Sequence, residues 1–323
     1  VMSLTVEVVP VLDSRYTDVT PFLKAKVYTG PIEGEVMPGE TPPCFLGAWY
    51  RKVVSSKDLW LGIEGVIELG EFTPDPKRFN LDGKGRYMDV PSIYMGGKSE
   101  FESDAGLGLN VTYLSKDTTE ELTYSSPKLA YRPFWRYIYK DAQDIKGNVT
   151  RREINSWNVA NPRALMYYYF PGDKVRIKVY SPMPNYLQLH IEVVETTKIP
   201  KYVELRKKYG LPDDKPADFF SPIFYSGGHG IEPAEFKRVN AIDQYGNEGF
   251  NAKMTDAFVS KATWSEVYLF RKINGEIVKV PFSVDRQISM ICPNREAITV
   301  NVLDPSIGSE TIELHPGKTK KGD

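Results

Sequence analysis

The sequence predicts an all-β protein, an antiparallel jelly-roll-type β-sandwich with a smaller C-terminal β domain. Three observations predict it. First, 20 Tyr and 15 Phe are scattered among 24 Pro and 25 Gly over 323 residues, the make-up of many short strands joined by turns. Second, strict alternation of apolar and polar residues recurs along the chain, and strands bury one face at this period of two. Third, helical periodicity is scarce and strands follow one another without βαβ alternation, which argues against a doubly wound fold.

The clearest alternation is GDKVRIKVY, Gly172 to Tyr180, with Val175, Ile177 and Val179 on one face and Lys174, Arg176 and Lys178 on the other. YLQLHIEVV follows from Tyr186, with Leu187, Leu189, Ile191 and Val193 inward and Tyr186, Gln188, His190 and Glu192 outward. Pro182 to Asn185 supply the turn of this first hairpin. A second hairpin joins TWSEVYLFRKI to EIVKVPF through Asn274-Gly275, a dipeptide that tolerates the positive φ angles of a type I′ turn. Further strands are expected in SLTVEVVPVL, CFLGAWYRKVV, WLGIEGVIELG, LGLNVTYL, ALMYYYF, AITVNVLD and TIELHP.

One helix is expected over Pro200 to Gly210, with Pro at its start and Gly at its end. The loop Leu211 to Pro222 after it is the largest break in the pattern. The sequence therefore divides into a sandwich over 1–199, a helix and linker over 200–222, and a small β domain over 223–323.

Composition excludes some function classes. With 41 basic and 42 acidic residues the formal charge is −1, so no global field gathers nucleic acid or anionic lipid, and no nucleic-acid partner is expected. No stretch approaches the roughly 18 apolar residues of a membrane span. Cys44 and Cys292 lack CxxC spacing and a neighbouring histidine, which leaves one disulfide or two buried thiols. P-loop, dinucleotide, HExxH and EF-hand patterns are absent.

Chemistry-bearing residues fall in a few groups. In SEFESDAGLGL, Glu100, Glu102 and Asp104 alternate, so an extended strand carries all three on one face at about 6.6–7 Å per step. Glycosidic cleavage uses two carboxylates about 5–5.5 Å or 6.5–9.5 Å apart, and a row of this kind can equally hold calcium or simply face water. No other cofactor is expected. In YRPFWRYIY, Arg132 and Arg136 interleave with Trp135 and Tyr137, residue types that stack on sugars and clamp carboxylates, although aromatics in a sandwich also serve as core. Trp157, between Asn155 and Asn158, adds a platform with amide donors. Of the three histidines, His190 is placed on the outer face of its strand, and His229 sits in the glycine-rich loop FYSGGHGIEP, where backbone can approach a ligand.

In rhythm, FESDAGLGL, YRPFWRYIY and YYYFPGDKVRIKVY resemble the concanavalin A-like lectin and glucanase type of sandwich. The stretch from FYSGGHG through TWSEVYLFRKINGEIVKVP to MICP resembles the C-terminal part of uncharacterised secreted proteins of Gram-positive bacteria. The first resemblance implies a glycan ligand. The chain lacks the EIDIE-type motif of laminarinase-like hydrolases and the RSEL, QIH and YFKAGxYxQ blocks of alginate lyases, so no functional residue carries over. The combined expectation is an extracellular or cell-surface carbohydrate-binding protein with a poly- or oligosaccharide partner, whose ligand face carries Arg132, Trp135, Arg136, Tyr137, Trp157 and His229. The alternatives are a polysaccharide lyase or glycoside hydrolase using Glu100, Glu102, Asp104 or His190, and a structural surface protein without a small ligand.

Overall fold

The computed structural model describes residues 18–111, 129–143, 149–157, 167–211 and 218–317. In chain order the elements begin with helix α1 (Thr20–Leu23) and strands β1 (Lys26–Val27), β2 (Ala48–Ser55), β3 (Gly62–Glu68) and β4 (Phe72–Thr73). There follow β5 (Asp89–Lys98), β6 (Glu102–Leu109), β7 (Tyr131–Gln143), β8 (Val149–Trp157), β9 (Lys174–Met183) and β10 (Tyr186–Glu195). Helix α2 (Pro200–Lys208) precedes β11 (Phe219–Phe220), β12 (Phe224–Tyr225), β13 (Glu235–Gln244) and β14 (Phe258–Ile273). The last strands are β15 (Glu276–Pro281), β16 (Gln287–Cys292), β17 (Ile298–Asp304) and β18 (Ser309–Leu314).

These strands make two sheets packed face to face. One has seven strands in the order β16-β2-β13-β5-β6-β7-β8. The larger runs β1-β15-β14-β3-β9-β10-β11, with β4, β12, β17 and β18 off this path. Between them lies one apolar core, with Trp60, Ile63, Ile67, Met95, Leu107, Val175, Ile177, Leu189, Phe236, Trp264 and Leu269 all fully buried.

The two expected hairpins form. In the first, β9 pairs with β10, and Asn185 takes the left-handed conformation at φ 68°. In the second, Asn274 and Gly275 have φ 51° and 81°, the two positive values that a type I′ turn needs. Helix α2 also forms, held by the buried Arg206–Asp173 pair at 2.8 Å. The strand expected at SLTVEVVPVL lies outside the described residues. ALMYYYF contributes a single bridge, Tyr131 to Tyr169, and its first three residues lie outside them as well.

The boundary expected at 200–222 does not separate two domains. β13 lies between β2 and β5 in the smaller sheet, and β14 joins β3 in the larger one. Residues after 223 therefore complete both sheets of a single sandwich. The helix interrupts the strand pattern and packs on the sandwich through Tyr202, which lies against Phe170 beside Ala130 and Tyr168.

A buried ion cluster joins the sheets. Arg51 of β2 donates from Nε and Nη2 to the Glu310 carboxylate of β18, both at 3.0 Å. Arg238 of β13 donates from Nη1 to the same carboxylate at 2.8 Å and from Nη2 to the Gly308 carbonyl at 3.0 Å. Beside it the Trp264 indole of β14 donates to Asn240 Oδ1 of β13 at 2.8 Å. Burial works to raise the Glu310 pKa, but Arg238 and Arg51 outweigh it and hold the carboxyl below its ordinary value.

Removing one member of such a cluster leaves the others charged and dry. Glu310→Ala is expected to lower the unfolding free energy by about 3–5 kcal/mol, read as a shift in the urea midpoint at unchanged slope.

Candidate functional site

Alternation on β13 sends Phe236, Arg238, Asn240 and Ile242 into the core and Lys237, Val239, Ala241 and Asp243 to the outer face of the seven-stranded sheet. Register then fixes two rows across that face. One runs Val54, Lys237, Gly96, Asp104, Arg136, and the next runs Lys52, Val239, Tyr94, Gly106, Phe134. Gly96 is the gap in the first row. A Cβ there would collide with the Ser103 carbonyl oxygen, and without one the Lys237 side chain can cross β5 to the acids of β6.

The result is a compact charge cluster. Lys237 Nζ contacts Asp104 Oδ1 at 2.5 Å and also pairs with Glu102. Arg136 Nε lies 3.3 Å from Asp104 Oδ2, and Lys52 Nζ lies 3.9 Å from Glu102. The Lys237 ammonium also stands 5.5 Å from the centre of the Tyr94 ring. Burial pulls the Lys237 pKa down, but Asp104 and Glu102 prevail and raise it. The charge of Lys237 depresses Glu102 to about 2. Burial lowers Lys52, with the Lys237 charge adding to it.

This cluster lines a cavity of about 250 Å³ whose wall also includes Tyr50, Ser92, Phe134, Ala241, Asp243 and Glu248. A second cavity of about 620 Å³ adjoins it and shares Phe45, Tyr50, Lys52, Glu102 and Lys237. Together they make a trough along β2, β13 and β5. The segment from Val36 to Phe45 forms the wall of the second cavity, and Phe45 and Gly47 continue into the first. A disulfide between Cys44 and Cys292 fastens this wall to β16. At the far end, burial raises the pKa of Asp243, which accepts a hydrogen bond from Ser92 Oγ at 2.5 Å. Asp243 is thus a carboxyl with a pKa above its ordinary value, set on the wall of a cavity.

The sequence-predicted residues separate into three groups. Glu102, Asp104 and Arg136 come together in the trough. Arg132 stands on the same strand as Arg136 and opposite Gly108, which lines the first cavity. Glu100 does not join the row, because β6 begins at Glu102 and Glu100 sits exposed in the turn, where its N–H donates to the Gly227 carbonyl. The binding-face aromatics are core. Trp135 is buried against Phe219 at 5.8 Å, and Tyr137 is buried edge-on to Tyr225 at 5.4 Å. Alternation on β7 puts them on the inner face, opposite in sense to Phe134 and Arg136. Trp157 lies opposite Phe134 on β8, and its side chain is outside the described part of the chain.

Both histidines were expected at accessible positions and both are buried. His190 is covered by Phe220, stacked 4.1 Å away, and its Nε2 lies 2.9 Å from Asp218 Oδ2. Burial lowers its pKa. His229 is fully buried beside Gly97 and Phe236, and neither ring nitrogen has a hydrogen-bond partner among the described residues. Burial alone lowers it to about 4. Among the described residues no group of three or more His, Cys, Asp or Glu is placed to hold a metal ion.

Sequence reasoning missed Lys52, Tyr94, Lys237 and Asp243. The only local signal was period two within EFKRVNAID. It is ambiguous because both faces of that strand carry charge and apolar residues alike.

The lowered His229 pKa fixes a sign. Between about 6.5 and 4 the unfolded chain holds a proton that the folded chain refuses, so stability falls as pH drops through that window, by roughly 3 kcal/mol in all. Glu102, depressed instead, contributes above its ordinary value of 4.5 and loses that contribution as pH falls towards about 2. Thermal melts from pH 7 to pH 4 are expected to show a smaller loss for His229→Leu than for the parent chain.

No family model matches the chain, and no curated protein matches it. Among solved structures it is similar to scytalido-glutamic peptidase with a peptide-based transition-state analogue, at TM-score 0.43 and 11% identity, over 82% of this chain and 97% of that one. A second scytalido-glutamic peptidase structure, with a transition-state analogue inhibitor, gives 0.40 and 8%, over 83% and 98%. SCP-B, described as a member of the eqolisin family of peptidases in complex with the tripeptide Ala-Ile-His, gives 0.38 and 12%, over 82% and 97%. Of the aromatics that were to stack on sugars, Trp135 and Tyr137 are in the core. The expected glycan-binding or glycan-cleaving function is corrected on this ground and because Glu102 and Asp104 are held in ion pairs with Lys237.

Proposed function

We propose that the trough on the outer face of the seven-stranded sheet binds an extended peptide. The observation that carries this reading is the balance of charge along an otherwise apolar channel. Lys52, Arg136 and Lys237 face Glu102, Asp104 and Glu248, with Val239, Ala241 and Phe134 between them. A polyanion would meet the carboxylates and a polycation the amines. A peptide offers both signs, backbone donors and acceptors, and apolar side chains at a repeat that suits a channel lying along strands. The disulfide supports a location outside the reducing cytoplasm, and among the described residues no helix is long and apolar enough to cross a membrane.

Peptide hydrolysis is the second reading, favoured by Asp243. Asp243 is a carboxyl on the cavity wall whose pKa burial raises, and a carboxyl so placed can act as general acid to a departing amine.

The test is to incubate the purified protein with a pool of random-sequence octapeptides at pH 4 and pH 7, then identify retained and shortened peptides by mass spectrometry. Retention of intact peptides supports binding, and new fragments that vanish with Asp243→Asn support hydrolysis. A pool left neither retained nor cut would overturn both. Lys52→Met combined with Tyr94→Ala is expected to cut retention at least about tenfold, equivalent to roughly 1.4 kcal/mol, while the urea midpoint stays near that of the parent.

A further inference from the structure

Resting on the peptide reading, we infer that the Cys44–Cys292 disulfide is a redox latch on the trough. The wall is the segment between two anchor points. At one end Val36 and Lys57 exchange backbone hydrogen bonds at 2.9 Å. At the other the Phe45 N–H donates to Tyr50 Oη at 2.8 Å, and Gly249 N–H donates to the Leu46 carbonyl.

Among the described residues, positions 37 to 44 make no backbone hydrogen bond, and Pro38, Pro42 and Pro43 have no N–H to give. What fastens this stretch to the sheet is the bond from Cys44 to Cys292 at the end of β16. Cys292 packs with Tyr50, Val239, Ala241 and Met290, the apolar strip of the trough floor, and Cys44 packs against that cluster. The latch therefore closes over the channel itself.

A small external dithiol would open it. One of its thiolates attacks a sulfur of the bridge, the mixed disulfide resolves, and the dithiol leaves as its own disulfide. Two electrons and two protons pass to Cys44 and Cys292, which remain as thiols. Cys44 is only half buried, which gives the reductant access. With the latch open, the wall from 37 to 44 loses its tether while both sheets keep every strand pairing, so the channel loses a side and the peptide its enclosure.

The test compares the oxidised protein, the protein reduced with dithiothreitol, and the Cys44→Ser/Cys292→Ser variant. Retention of the random octapeptide pool is measured alongside amide hydrogen exchange. Expected on reduction and in the variant are faster exchange at the Phe45 and Gly249 amides that anchor the wall, unchanged protection in β13 and β14, and at least about a tenfold loss of retention. Equal retention by oxidised and reduced protein would overturn the latch. So would loss of protection throughout β14, because the bridge would then hold the whole fold rather than the wall. If no form retains peptide, the peptide reading fails, and unchanged exchange at the Phe45 and Gly249 amides would separately overturn the latch.

Discussion

Two arginines of one sheet share a single carboxylate of the other. Arg51 and Arg238 come from β2 and β13, which are neighbours in the seven-stranded sheet, and Glu310 from β18 reaches both across the core. Taking three charges out of water is costly, and the geometry must return that cost through bidentate and shared hydrogen bonds. A slip of one residue in β13 would move Arg238 to the outside and bring Lys237 into the core. The cluster therefore enforces the register of the central strand, and every row across the smaller sheet follows from that register.

The candidate site is the other side of the same constraint. Because Arg238 must face inward, Lys237 must face outward, at the one row where Gly96 leaves an opening towards Asp104. The ion pairs on the outer face centre on the buried Lys237 and Asp104, with Glu102, Lys52 and Arg136 partly exposed around them, and the strand that presents them is pinned from within.

Much of the fold was legible in the sequence, and the reasons are local. Hairpins announce themselves through turn chemistry, as Asn274-Gly275 did, and half-buried strands through alternation, as Val175, Ile177 and Val179 did. The inner placement of Trp135 and Tyr137 was harder to read, since β7 carries aromatic residues in both phases and period two then loses its meaning. His190 was assigned its alternation phase correctly but its exposure wrongly, because Phe220 comes from a strand about thirty positions later and covers it. Of the site, Glu102, Asp104 and Arg136 were found. Their partner Lys237 was not, since it meets them only through a strand order that no short spacing encodes. The division into two domains failed for the same reason.

That strand order has a bearing on how the chain reaches its folded state. Without β13 the smaller sheet would have a vacancy between β2 and β5, and without β14 the larger sheet would have one between β15 and β3. A nascent chain that has emerged only as far as α2 holds two incomplete half-sheets with open, hydrogen-bond-hungry edges. It has to wait for residues made much later before either sheet can close. Such long-range pairing folds slowly and exposes strand edges in the meantime, so synthesis of this chain falls within the working range of chaperones that shield unpaired β edges.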